Sequence, residues 1–176
     1  CLAQAAEMTG REEDLAYYSR LREDVKSAYN NAFFDKATGQ YGTGSQASNA
    51  ISLFAGLVDP EQKEAVIENL IKSIEANGYR LSTGDVGNRY LFQALARNGL
   101  NEMMYRMHNH SEVPGYGFQL QFGATTLTEL WDPRKGASWN HFMMGQIEEW
   151  FYRALAGIDL EENAYSGFKS FKIAHQ

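Results

Sequence analysis

Two carboxylates, two tryptophans, an Asn-His pair and a basic pair fall within one short stretch, Gly123 to Gly145, GATTLTELWDPRKGASWNHFMMG. They are Glu129 and Asp132, Trp131 and Trp139, Asn140 and His141, and Arg134 and Lys135, and they flank a single proline, Pro133. Core packing does not require that mixture. Carbohydrate chemistry does: carboxylates move protons and hold hydroxyls, and an indole face covers the apolar side of a sugar ring.

Glu129 follows a small and β-branched run, Ala124-Thr125-Thr126-Leu127-Thr128, which favours an extended or tightly turned backbone. A carboxylate beside an indole loses hydration, which raises its pKa and suits proton transfer near neutral pH. The competing reading is a surface carboxylate paired with Arg134. Trp131 is either a sugar-stacking face or a structural tryptophan under the loop. Asp132 precedes proline, so a turn-opening role and a ligand contact are both open. Arg134 and Lys135 are expected in solvent. Asn140 and His141 are expected in the first turn of the last helix, capped by Ser138 and facing the loop that carries Glu129. There His141 would donate to a substrate hydroxyl; the alternative is a histidine bonded inside the helix end.

Other chemistry-bearing patterns are weaker. His108 and His110 form an H-x-H pair with no third ligand at a recognisable spacing, so a solvated loop is expected and no metal site is assigned. Asn109-His110-Ser111 fits the N-glycosylation acceptor pattern, which matters only in a secreted eukaryotic setting. A phosphate-cradling glycine motif, a G-x-S-x-G elbow and an H-E-x-x-H helix are absent from the sequence, and no cofactor is implied.

The elements that must position these residues are helical. The residues Cys1 to Met8 read as the tail of an amphipathic helix stopped at Gly10. Leu15, Tyr18, Leu21, Val25, Tyr29 and Phe33 recur at helical spacing and predict an amphipathic helix over 12–34. Gly39, Gly42 and Gly44 mark a turn-rich loop, and Ser45 can cap the next helix. Asp59-Pro60 is a helix start, running to a stop at Gly78. Further helices are expected up to Asn98-Gly99 and over 100–108. The segment 114–123 is expected to be irregular, and one long helix is expected from Ser138. After Gly157 the character changes: Phe168, Phe171 and Ile173 among polar residues predict a β-strand. Consecutive helices with short loops read as αα-hairpins. No repeat of solenoid length is present.

The 176 residues are 44% hydrophobic and 22% charged, ordinary for one globular domain. The net charge of −6, with no basic stripe, argues against nucleic acid. No apolar run reaches the roughly 18 residues of a membrane span. A single cysteine, Cys1, excludes an internal disulfide. A start in mid-helix suggests a piece of a longer protein. The compartment, cytoplasmic or periplasmic and secreted, is left open, as is homo-oligomerisation of the parent.

The block GATTLTELWDPRKGASWNHFMMGQIEEWFYRALAGI resembles the signature of the family 78 glycoside hydrolases, the α-L-rhamnosidases. Its usual form is G-A-T-T-x-x-E-x-W-D, a variable loop, S-x-N-H, a glycine shortly after, then W and L-A-G-I. Two further blocks resemble the family: SQASNAISLFAGLVDPEQ and LSTGDVGNRYLFQALARNG. The three lie in the family's order and cover nearly the whole chain.

The resemblance implies an all-α fold: the second half of an (α/α)6 toroid of helical hairpins, ending at the first strand of a truncated β-sandwich. Residues 1–160 would be the partial barrel and 161–176 the start of the sandwich. It implies inverting hydrolysis of terminal α-L-rhamnosyl residues from a glycoside or polysaccharide. Glu129 then matches the general base, and His141 the histidine that contacts the sugar. Trp131, Asp132 and Asn140 are motif residues placed near the substrate. The general acid belongs to an acidic motif that nothing before residue 35 resembles, so a fragment of this extent is expected to be inactive alone, with a barrel face exposed. The short loop DPRKGA leaves the group attached to the terminal sugar undetermined. Two other readings stand beside this one: a non-catalytic carbohydrate-binding or scaffold protein on a degenerate barrel, and another (α/α)6 glycosidase.

Overall fold

The computed structural model describes residues 1–160 and 170–174. The order is α1 (Leu2–Met8), α2 (Glu12–Phe33), a two-residue hairpin of β1 (Phe34–Asp35) and β2 (Gln40–Tyr41), then α3 (Gln46–Phe54), α4 (Lys63–Ala76), α5 (Asp85–Arg97), α6 (Asn101–His108) and α7 (Tyr116–Gln121). A 3-10 turn at Pro133–Lys135 and another at Phe142–Met144 precede α8 (Ile147–Trp150), which continues as a π turn over Phe151–Leu155. β3 (Ile158–Leu160) pairs antiparallel with β4 (Phe171–Ile173). Phe168 and the rest of 161–169 lie outside the described residues.

Local signals set several boundaries. The Ser45 hydroxyl accepts the Ser48 N–H at 3.1 Å and starts α3. Pro60 opens a 3-10 turn that runs into α4, but the Asp59 carboxylate does not cap it; it pairs with Lys26 at 2.9 Å instead. At the end of α4, Gly78 takes φ +63° while the Tyr79 N–H reaches back to the Ile74 carbonyl at 2.9 Å. That pattern needs a left-handed residue and suits glycine.

The core is built around α5, which packs against α3, α6 and α8. Leu91, Phe92, Ala94 and Leu95 from α5 meet Leu70 and Ile74 from α4, Met104 and Met107 from α6, and Trp131, Met144 and Trp150 from the C-terminal third. Among the described residues, no helix is long and apolar enough to cross a membrane.

Three expectations are corrected. The helix over 12–34 forms, but none of its residues is buried, and Leu21, Val25 and Phe33 are exposed. It is tied to the rest by Tyr29 hydroxyl to Ser52 Oγ at 2.9 Å, by Asn30 Nδ2 donating to the Leu57 carbonyl at 2.8 Å, and by the Tyr29 ring stacked on Tyr41 at 5.6 Å. The segment 114–123 is not irregular throughout, because α7 occupies Tyr116–Gln121. The last helix does not start at Ser138. Backbone bonds to Glu129 and Leu127 hold 138–141 out of a helix, with His141 extended, and α-helix begins only at Ile147.

The buried polar side chains of α3 tie the layers together. Asn49 Oδ1 accepts the Tyr41 N–H at 2.9 Å. Gln46 donates to the Arg80 carbonyl and accepts the Ser82 N–H, both at 3.3 Å, and so anchors the loop leading to Thr83. An unpaired buried amide costs free energy, so pairing both ends of Gln46 specifies one loop path. That loop is one wall of the site.

Candidate active site

Two segments on either side of Pro133 are stitched together. The Glu129 N–H donates to the Ser138 carbonyl at 2.9 Å, and the His141 N–H donates to the Leu127 carbonyl at 2.9 Å. Two steps of chain on the first side thus oppose three on the second. One extra residue of this kind bends a strand and re-aims its side chains. The Thr126 hydroxyl also donates to the Trp139 carbonyl. The pairing puts Glu129 and His141 on directly neighbouring segments.

The Glu129 carboxylate is partly buried, and its Oε2 accepts the Ser138 N–H at 3.2 Å. Among the described residues it has no ion-pair partner. Arg134, the cation proposed as its mate, is committed elsewhere: its guanidinium lies on Asp132 at 2.8 and 2.9 Å and over the rings of Phe122 (4.6 Å) and Phe118 (5.3 Å). Arg134 is therefore not simply solvated, as expected, but stacked and paired.

Asp132 uses both carboxylate oxygens on Arg134, and Oδ1 also accepts the Arg134 backbone N–H at 3.1 Å. These bonds to the ionised form hold its carboxyl down at about 2. The geometry is that of a turn-opening residue on the 3-10 turn at Pro133–Lys135.

Trp131 is buried. Its indole N–H donates to the Thr83 carbonyl at 2.8 Å, and its ring meets Tyr116 edge to face at 5.1 Å. The Tyr116 hydroxyl donates to the Met144 carbonyl, and burial pushes that hydroxyl upward. Thr83 Oγ1 lies 3.2 Å from Asn88 Oδ1, and Asn88 Nδ2 donates to Gln146 Oε1 at 3.1 Å. Of the two readings left open for Trp131, the structure supplies the packing one: a peg joining the Glu129 loop to the 79–84 loop.

Asn140 is exposed, and its N–H donates to Ser138 Oγ at 3.2 Å. The expected placement of Asn140 and His141 in a first helical turn is thus replaced by extended backbone, with φ −132° and ψ 104° at His141. The imidazole of His141 lies nearly parallel to the Phe142 ring, at 13° and 6.1 Å. Its Nδ1 is buried and finds no hydrogen-bond partner among the described residues.

His108 departs most from its expected solvated loop. Its ring lies among Phe92, Tyr116 and Trp150, with Nδ1 donating to the Met104 carbonyl at 2.5 Å. Among the described residues, no group of three His, Cys, Asp or Glu side chains could hold a metal ion. Residue-by-residue reading missed Thr83, Asn88, Tyr116 and Gln146 as supports. Their sequence signal is that Thr83 and Asn88 fall in the family-like block LSTGDVGNRYLFQALARNG and Gln146 in the block that begins at Gly123.

Comparison with known proteins decides the family. Residues 1–155 match the model of the bacterial alpha-L-rhamnosidase 6 hairpin glycosidase domain. The chain belongs to that family. An alpha-L-rhamnosidase of Formosa agariphila is 31% identical over 98% of this chain, and one of Streptomyces avermitilis is 30% identical over 83%. The chain spans 19% and 15% of those proteins, about a fifth or less of their length. The solved alpha-L-rhamnosidase of Dictyoglumus thermophilum superposes with a TM-score of 0.84 at 35% identity, covering 91% of this chain and 19% of that one. The Streptomyces avermitilis alpha-L-rhamnosidase complexed with L-rhamnose superposes at 0.83 with 28% identity, covering 93% of this chain and 16% of that one. The helical hairpins are accordingly part of an (α/α)6 barrel, and the β3–β4 pair fits the start of a truncated β-sandwich.

Proposed function

We propose that this chain is the base-bearing part of an inverting α-L-rhamnosidase. Glu129 takes the proton from a water that attacks the anomeric carbon of a terminal α-L-rhamnosyl residue. Inversion needs a second carboxyl, the acid, about 6.5–9.5 Å from the base, so that water fits between them. By family resemblance that acid lies outside residues 1–176, and the chain alone is inactive. The barrel portion then ends ahead of β3, and the β3–β4 pair opens the following sandwich. His141 binds a sugar hydroxyl through its imidazole. Asp132, Trp131 and Asn140 shape the loop around Glu129.

The observation that carries the reading is the Glu129 carboxylate itself. Its Oε2 accepts the Ser138 backbone N–H, from the segment that bears His141, while Arg134 is engaged by Asp132 instead. A carboxylate held this way by one oxygen leaves the other free to take a proton from water. The test is hydrolysis of an aryl α-L-rhamnoside by the protein that carries this chain, wild type against Glu129→Gln. The variant should lose about 10²–10⁴-fold in kcat. Proton NMR of the first-formed rhamnose should show the inverted anomer. Normal activity of Glu129→Gln would remove the base assignment.

A further inference from the structure

Two large aromatic rings stand in the open beside the Glu129 segment. Trp139 is 43% exposed and Phe142 is 83% exposed. They bracket Asn140 and His141 in sequence. Trp139 is not loose: its indole N–H donates to the Pro133 carbonyl at 3.2 Å, and its own carbonyl accepts the Thr126 hydroxyl. Phe142 lies almost parallel to the His141 ring. Trp139 is therefore fixed at its edge and through its backbone, while much of its surface is left uncovered by the described residues. Exposed aromatics fixed beside a polar site are a usual way to bind a ring that has one apolar face and polar edges. Trp131, by contrast, is already consumed by the core.

We propose that Trp139, with Phe142, forms the apolar wall of the subsite for the group attached to the terminal sugar, and that this wall selects a flat ring with an apolar face. The inference rests on the Glu129 reading, because the wall is assigned by its attachment to that residue's segment. Two sources carry the same chemistry: an aryl aglycone, or the C–H face of a second sugar. Ser138 joins the two roles. Its carbonyl and N–H hold Glu129, and the next residue is Trp139.

The test compares three substrates in the protein that carries this chain: p-nitrophenyl α-L-rhamnoside, a rhamnosyl-glucose disaccharide and methyl α-L-rhamnoside. Each is measured with wild type, Trp139→Ala, Trp139→Phe and Phe142→Ala. The preference for the ring-bearing substrate over the methyl one should fall about tenfold in Trp139→Ala, through KM rather than kcat, and Trp139→Phe should restore most of it. A drop for the aryl substrate names an aromatic aglycone; a drop for the disaccharide names a sugar. An equal loss on all three substrates, or none, overturns the proposal, the first because it marks a ring packed only for structure. If wild type cleaves no rhamnoside, the rhamnosidase reading falls by itself. Calorimetric titration with phenyl and methyl α-L-rhamnosides then reads the wall directly, and equal affinities in wild type and Trp139→Ala overturn it.

Discussion

Protonating His108 should loosen this fold, and the structure gives the size of the effect. The ring is enclosed by Phe92, Tyr116 and Trp150, and its Nδ1–H is spent on the Met104 carbonyl. A proton would have to go to Nε2, which is buried and has no partner among the described residues. Burial therefore pushes the imidazole down to about 4 from 6.5, with the Met104 bond opposing and nearby His110 adding slightly to the fall. The folded pKa lies below the unfolded one, so the unfolded chain binds the extra proton. Stability is complete above pH 6.5, falls as pH drops toward 4, and then levels. A gap from 6.5 to about 4 corresponds to about 3 kcal/mol over that window. The assay is urea unfolding by tryptophan fluorescence at several pH values, wild type against His108→Phe. The variant keeps an aromatic ring and loses the titration, so the difference between the two should shrink by about that amount toward low pH. A His108 resonance titrating near 6.5 by NMR, or parallel pH profiles for the two proteins, would refute the reasoning.

Two further outcomes test the supports of the site. Trp131→Phe keeps an aromatic ring but strands the buried Thr83 carbonyl, costing about 1–3 kcal/mol in denaturant unfolding, and kcat should fall as the Glu129 loop loosens. Gly157→Ala should separate β3 from β4: Gly157 has φ +68°, and a Cβ there would collide with the Ala174 carbonyl, so amides of 158–160 should lose hydrogen-exchange protection.

Helix boundaries were readable wherever the deciding contacts are local. Ser45, Pro60 and Gly78 act on residues within five positions of themselves, so their chemistry is visible in the chain order. The stripe from Leu15 to Phe33 was equally plain as a helix, but which residues it buries depends on what packs against it. Among the described residues nothing covers Leu21 or Val25 fully. His108 shows the same limit in reverse. An H-x-H pair near a loop looks solvated, and only the convergence of α5, α7 and α8 on α6 encloses it.

The helical-hairpin class, the family and the stretch around Glu129 were legible in one dimension, because periodicity and motif spacing survive there. What each side chain of that stretch packs against or bonds to came only from the fold. Ser138 would cap a helix if local propensity ruled; two backbone bonds, Glu129 to Ser138 and His141 to Leu127, keep that segment from being helical instead. Arg134 could pair with either nearby carboxylate, and the 3-10 turn at Pro133 gives it Asp132. Trp131 and Trp139 are the same residue type eight positions apart. One is buried because Thr83 and Tyr116 meet it, and the other stays open because its edge is held from behind. The burial of Trp131 is set by partners distant in sequence, and the choice between nearby partners, as for Arg134, by the path the backbone takes, so neither could be seen before the chain was folded.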